Sequence, residues 1–299
     1  MCHYLDCWNP KEGNGMICIF RTVVQKCLSW YKNPRIIASV LLGLAMSIKK
    51  VSGYCSFAEA LGMPVNILEP FVILGSTPIS FVSIFLGGLL LISDAPFITP
   101  LGQQEMLRIG RKKWVWSQIA YLVVTSLFYY ICIMLFSMLL TVLRYPSLVS
   151  VCWSDSMLHL AIQQPEFAIR SFGLSFPYPD YINSTTPLGA SFLTLIYNSS
   201  YMILIGLCTL TINLLTKRNI GWIVAAGIHI GSYIIYANLS WLYPAKLSLL
   251  CCAIPAYHYD PMLDMPSLYC ALLFSVCIAF ITCICRYFAN SIEPFESTI

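Results

Sequence analysis

Five stretches of this chain, residues 71–92, 114–143, 191–215, 221–242 and 267–288, run the width of a bilayer with almost no charge. A helix needs about 20 apolar residues to cross roughly 30 Å of hydrocarbon. Inside lipid every backbone N–H and C=O must find a partner within the segment, so such runs fold as helices. A sixth run, 36–48, is shorter and ends at Lys49 and Lys50. It fits two readings. The span either continues past the lysines to Leu61, with their stems reaching outward, or stops as an interfacial or re-entrant helix. The expectation is an all-α integral membrane protein, one domain over 1–299. Its six transmembrane helices lie at 36–61, 71–92, 114–143, 191–215, 221–242 and 267–288.

Composition agrees. The chain is 58% hydrophobic and only 10% charged, with a mean hydropathy of +0.75. A soluble domain carries about 25% charged residues, so water could not solvate this surface. The net charge of +4 is explained by orientation and asks for no nucleic-acid partner. Of 17 basic residues, twelve fall in the amino-terminal segment, the 93–117 and 216–220 connections and the tail. By the positive-inside rule these are cytoplasmic, which puts both termini inside.

Before the first span, residues 16–31 read "MICIFRTVVQKCLSWY". Ile17, Phe20, Val24, Leu28 and Tyr31 follow the helical period, and Arg21, Gln25 and Lys26 fall largely opposite. Such a helix lies along a membrane surface. Phe20, Val24, Lys26 and Leu28 are its candidate functional positions. Pro34 then turns the chain.

Between the second and third spans comes "DAPFITPLGQQEMLRIGRKKWVWSQ". Pro96 and Pro100 stop the preceding span. Thr99 suits an N-cap with Pro100 at the first helical position. Glu105 and Arg108 can pair on one face, and Gly110 suits the helix stop. Arg111, Lys112 and Lys113 mark the inner headgroup level, and Trp114 and Trp116 anchor the next span. The spacing predicts a short capped helix over 99–110. It reads either as a docking surface or as a cap on the bundle.

Two connections on the other face are long. Residues 144–188 carry enough Pro, aromatic and polar residues to be structured without spanning. In 243–266, the apolar stretch 247–254 is too short to cross. It either re-enters the bilayer or packs as a loop. Cys55, Cys152, Cys251, Cys252 and Cys270 could form external disulfides, but spacing does not pair them. No C-x-x-C zinc pattern is present.

Within the spans, His229 and the run Asn198, Ser199 and Ser200 stand out. Intramembrane polar groups line pathways or hydrogen-bond between helices, and both readings stay open. The chain has no phosphate-binding loop, H-E-x-x-H or G-x-S-x-G, so no catalytic residue is assigned. An intramembrane hydrolase is the weakest alternative.

The whole arrangement resembles the permease subunit of type-2 ATP-binding-cassette (ABC) transporters. "LISDAPFITPLGQQEMLRIGRKKWVWSQIAYL" and "NLLTKRNIG" look like stretches in poorly characterised permease-like proteins of Gram-positive bacteria. That resemblance implies an amphipathic amino-terminal helix, six spans, a cytoplasmic coupling helix after span two and an external re-entrant element before span six. It implies a dimer, with itself or a related permease, in a bacterial cytoplasmic membrane. ATP and Mg would sit on a separate ABC ATPase, with no cofactor on this chain. Leu101, Gln104, Glu105, Met106, Leu107, Arg108 and Ile109 would meet that ATPase. The long connection after span three departs from the family outline. A non-transporting membrane scaffold or immunity protein is the alternative function.

Overall fold

The computed structural model describes residues 15–93, 95–96, 106–176, 178–239, 248–261 and 265–289. The architecture is all-α. Helix α1 (Gly15–Leu28) leads through a 3-10 turn (Trp30–Lys32) to α2 (Pro34–Leu61). Asn33 caps α2, its side chain accepting from the Arg35 amide at 3.1 Å, and Pro34 takes the first turn. At the far end Gly62 adopts φ +65 and closes the helix.

Then come α3 (Glu69–Ser76), α4 (Pro78–Ile92) and α5 (Arg111–Arg144). The connection beyond α5 holds α6 (Asp155–Leu158), a π-helical turn (His159–Gln163), α7 (Pro165–Phe172) and α8 (Pro179–Ser184). Helices α9 (Pro187–Thr216), α10 (Gly221–Leu239), α11 (Leu249–Ala253) and α12 (Ser267–Phe288) complete the chain. A 3-10 turn, Pro255–Tyr259, follows α11.

Four helices, α2, α5, α9 and α12, are long and apolar enough to cross a membrane. Helices α3 and α4 would add a fifth if taken as one broken span. Helix α10 is not among them, although its 19 residues would rise about 28 Å. Large apolar side chains point outward along the long helices, Leu135, Leu139, Phe192, Ile196, Val276 and Phe280 among them. A water-facing surface rarely carries so much continuous apolar area; lipid accepts it. Two-thirds of the apolar window of α9 is buried (67%), against 17% in α12 and 22% in α2. Helix α9 is therefore the central rod, and α2 and α12 are peripheral.

The expected single span over 71–92 is corrected. The chain breaks at Thr77, and α3 and α4 meet at 87°. Pro78 disfavours helical geometry at the residue before it, and Thr77 is extended at ψ 120. The break is satisfied locally: Thr77 donates its amide (3.1 Å) and hydroxyl (2.7 Å) to the Ile73 carbonyl. Every residue of α3 is buried.

Helices α2, α4 and α5 converge closely. Ser39 donates to the Gly87 carbonyl at 2.7 Å, and Tyr129 donates to the Ile84 carbonyl at 2.7 Å. A Cβ on Gly43 would lie 2.7 Å from the Tyr129 hydroxyl, and one on Gly87 would collide with the same oxygen. Small residues let these backbones approach, as membrane interfaces favour.

Helix α2 runs through Lys49 and Lys50 to Leu61 without interruption. Lys50, about 24 Å along the helix from Pro34 at 1.5 Å per residue, donates to the Gly173 carbonyl at 3.0 Å. Gly173 ends α7 with φ +64. The lysine thus caps the connection after α5 instead of only reaching along the helix. Beyond this level a second layer forms. Val65 and Asn66 pair in parallel with Ser147 and Leu148 as a two-residue bridge, and α6 and α7, with the π-helical turn packed between them, lie against the far end of α2.

Candidate functional site

Three polar assemblies sit along the bundle. At the end bearing the basic residues, α1 lies against α5. Trp30 donates to the Tyr121 hydroxyl at 2.7 Å and rests on Phe128, ring centroids 4.6 Å apart. The Lys26 ammonium lies 5.5 Å from the Tyr121 ring centroid, a favourable place for a cation. Val23 and Thr22 face the protein, while Phe20 (67% exposed), Val24 and Leu28 turn away from it. The apolar stripe of α1 is thus left uncovered by the chain itself, as a membrane-surface helix requires.

Leu101, Gln104 and Glu105 lie outside the described residues, as do Thr99 and Pro100. Residues 106–109 are helical and end at Gly110, whose φ is +85 and whose amide donates to the Met106 carbonyl at 3.0 Å. Met106 is buried and Ile109 packs against the core, whereas Leu107 is 71% exposed beside an exposed Arg108.

Asn213 organises the same end. Its amide nitrogen donates to the Ala95 carbonyl at 2.5 Å and to the Asn219 side chain at 3.1 Å. Its oxygen accepts from the Gly221 amide at 2.6 Å. A Cβ on Gly221 would meet that oxygen at 2.8 Å and collide with the Thr209 carbonyl. One buried side chain therefore joins the connection after α4 to the turn between α9 and α10. Both pieces come from the motifs quoted above, but their juxtaposition was not visible in them.

In the middle, the polar residues of α9 and α10 occupy two different contacts. His229 is fully buried. Its Nδ1 lies 2.8 Å from the Tyr201 hydroxyl, and its ring packs on Phe85 at 4.2 Å. Asn198 and Ser199 are also buried and Ser200 half-buried. Asn198 sits at α3, where a Cβ on Gly75 would approach its amide nitrogen to 2.5 Å. His229 and Asn198 are thus in different contacts: one joins α9 to α10, the other faces the break-forming helix α3.

At the opposite end lies an assembly that sequence reading missed. Glu69 is fully buried. Its carboxylate accepts from the Tyr54 hydroxyl (2.8 Å), the Asn66 amide (3.0 Å), and the Ser154 amide (2.6 Å) and hydroxyl (2.7 Å). Asn66 in turn donates to the carbonyls of Ser150 and Cys152. Four donors on one carboxylate offset much of its desolvation. The signal available was an acidic residue opening an apolar run, in "ILEPFVIL".

Beside this knot, residues 248–259 pack under α9 and α10. Ser248 donates to the Ser232 carbonyl at 3.0 Å. Tyr257 stacks on Tyr236 at 5.3 Å and meets Tyr178 edge-on at 5.6 Å. Burial pushes the Tyr178 hydroxyl well above the usual tyrosine range.

Among the described residues no cluster of His, Cys, Asp and Glu could hold a metal. What the fold defines is a class: an all-α protein whose long apolar helices are compatible with a membrane. No family model, curated protein or solved structure matches the chain.

Proposed function

We propose that this chain is the permease subunit of an ATP-driven ABC exporter. It lies in a bacterial cytoplasmic membrane with both termini inside. On this reading there are six spans, with α3 and α4 counted as one broken span and α10 as the fifth. The observation that supports coupling is the split between neighbours at the basic end. Met106 is buried in the bundle, and Leu107 projects beside Arg108. A contact that must pass force needs one side anchored and one side offered. Helix α1 and the Asn213 junction brace the same end.

A separate ATPase would bind ATP and Mg and close against residues 101–109. Its motion would rock α5 and α9. Two copies, or this chain with a related permease, would enclose the pathway. Asn198, Ser199, Ser200 and His229 are the polar groups available to it. No chemistry is asked of the chain.

The test is purification of the tagged chain, in mild detergent, from a host expressing its genomic neighbours. The expected result is a co-purifying phosphate-loop ATPase that is lost with Leu107→Asp. Recovery free of any ATPase, with Leu107→Cys labelled by a membrane-impermeant maleimide from outside the cell, would overturn the proposal.

A further inference from the structure

Hydroxyl groups buried in the long helices commonly bond their own backbone. Ser47, Thr194, Thr209 and Thr211 each donate to the carbonyl one turn back, at 2.7–3.0 Å. Five polar side chains around α9 do not. Ser76, Ser126, Tyr130, Asn198 and Ser199 are no less buried, at 0–1% exposure. Yet among the described residues their four hydroxyls and the Asn198 side-chain oxygen meet no hydrogen-bond partner. They belong to three helices, α3, α5 and α9, that pack on one another. Asn198 abuts Gly75 of α3, and Ser76 is the next residue. Ser199 lies about one turn before Met202 on α9, and Met202 and Tyr129 both border Gly88. The Tyr130 ring meets that of Tyr129 at 5.4 Å, and Ser126 lies one turn before Tyr130 on the same face of α5.

An unpaired polar atom in a dry core costs stability, and alanine or leucine at these positions would carry no such cost. Polar groups kept against stability mark a site that something else completes. Charge narrows what that is. Among the described residues Glu69 alone is both charged and buried, and its carboxylate is engaged at the outer end. An ionic ligand would find no counter-charge here. Hydroxyls and an amide oxygen instead give and take hydrogen bonds with a neutral partner. We propose that α3, α5 and α9 hold, between these five groups, a site for the uncharged, hydroxyl-bearing head of an amphiphile. Its apolar tail lies toward the lipid-facing side of α9, where Phe192 and Ile196 are exposed. The inference rests on the proposed exporter reading and names the class of its cargo. Entry requires α3 to part from α9, and the break at Thr77 lets α3 move without α4.

A purely structural role predicts the opposite behaviour. Polar groups that glue helices together lose a hydrogen bond on truncation, and the protein melts earlier. Ser76→Ala and Ser199→Ala remove hydroxyls that bond nothing in the fold, so stability is kept or raised while the ligand loses its partners.

The test uses the full chain as it purifies, reconstituted in lipid nanodiscs. The probe is decyl glucoside with a photoreactive diazirine on the chain carbons next to the head. Decyl sulfate and decyltrimethylammonium with the same diazirine are the charged comparisons. Irradiation and peptide mass spectrometry should place the glucoside on residues 194–202 of α9 or on α3, with competition by plain decyl glucoside. Ser76→Ala and Ser199→Ala should melt at or above the wild-type temperature, and labelling should fall about tenfold in the double variant, as loss of roughly one good hydrogen bond requires. Labelling confined to Phe192 and Ile196, equally strong with charged heads, or undiminished in the double variant overturns the site. So does a lower melting temperature in both alanine variants, because the hydroxyls are then already paired, directly or through water. None of these results touches the exporter reading, which is scored separately by ATPase co-purification and uses no cargo.

Discussion

Asn213 donates to the carbonyl of Ala95, 118 positions away in sequence, while its own oxygen receives the amide of Gly221. A buried amide so placed does two things. It satisfies two backbone groups that would otherwise be stranded at helix ends, and it ties the connection after α4 to the turn between α9 and α10. In a protein that works by rocking its helices, such a joint would pass displacement from one turn to the other.

Asn213→Ala strands the Gly221 amide and the Ala95 carbonyl. Each unsatisfied buried group costs about 1–3 kcal/mol, so the melting temperature in detergent should fall by several degrees. Asn213→Asp keeps the acceptor for Gly221 but turns a carboxylate oxygen toward the Ala95 carbonyl. It should be no more stable than the alanine variant. A melting temperature within error of wild type for both would show that the junction carries no stability.

The close approach of α2, α4 and α5 gives a second expectation. Gly43→Ala places a methyl group 2.7 Å from the Tyr129 hydroxyl. Overpacking of this kind costs about 1–3 kcal/mol. Removing the hydroxyl with Tyr129→Phe should recover part of the loss, although Ile133 lies 3.1 Å from the same methyl position. A double-mutant cycle on thermal unfolding reads the coupling directly. Additive losses would mean that the tyrosine simply moves aside.

Glu69 supplies the third. Glu69→Gln puts an amide nitrogen where a carboxylate oxygen receives a donor, either the Ser154 amide or the group of three on Oε2. Two donors then face each other in a dry site. The 150–156 segment should loosen before the bundle does. Limited proteolysis of the detergent-purified protein should therefore cleave the variant there at least several-fold faster. Unchanged cleavage would show that the knot is held by Asn66 alone.

What could be read in advance divides along a physical line. Local signals sufficed where the partner of a residue is its neighbour or the solvent. The stripe Phe20, Val24, Leu28 announced a helix with one apolar face left uncovered, Pro34 marked the start of α2, and Gly110 closed the turn over 106–109. The break at Thr77 was written in "GSTPIS", but a uniformly apolar run has no periodicity to betray a bend, so 71–92 read as one rod. Glu69 and Asn213 could not be paired at all. Their distant partners, Ser154 and Ala95, lie 85 and 118 positions away, and only the packing of whole helices brings them near.

The last expectation separates anchoring from docking within one turn. Met106 is 3% exposed and Leu107 71%. Met106→Asp buries a carboxylate with no provision for it, so it should lower the melting temperature markedly and cut the yield of folded protein. Leu107 is exposed among the described residues, and surface changes of this kind stay within about 0.5 kcal/mol. If Leu107 is the offered side of the coupling surface, its aspartate variant should fold and melt normally yet lose the ATPase on co-purification. Loss of stability in Leu107→Asp would make it another packing residue. Normal stability with the ATPase still bound would move the docking surface elsewhere on the inner face.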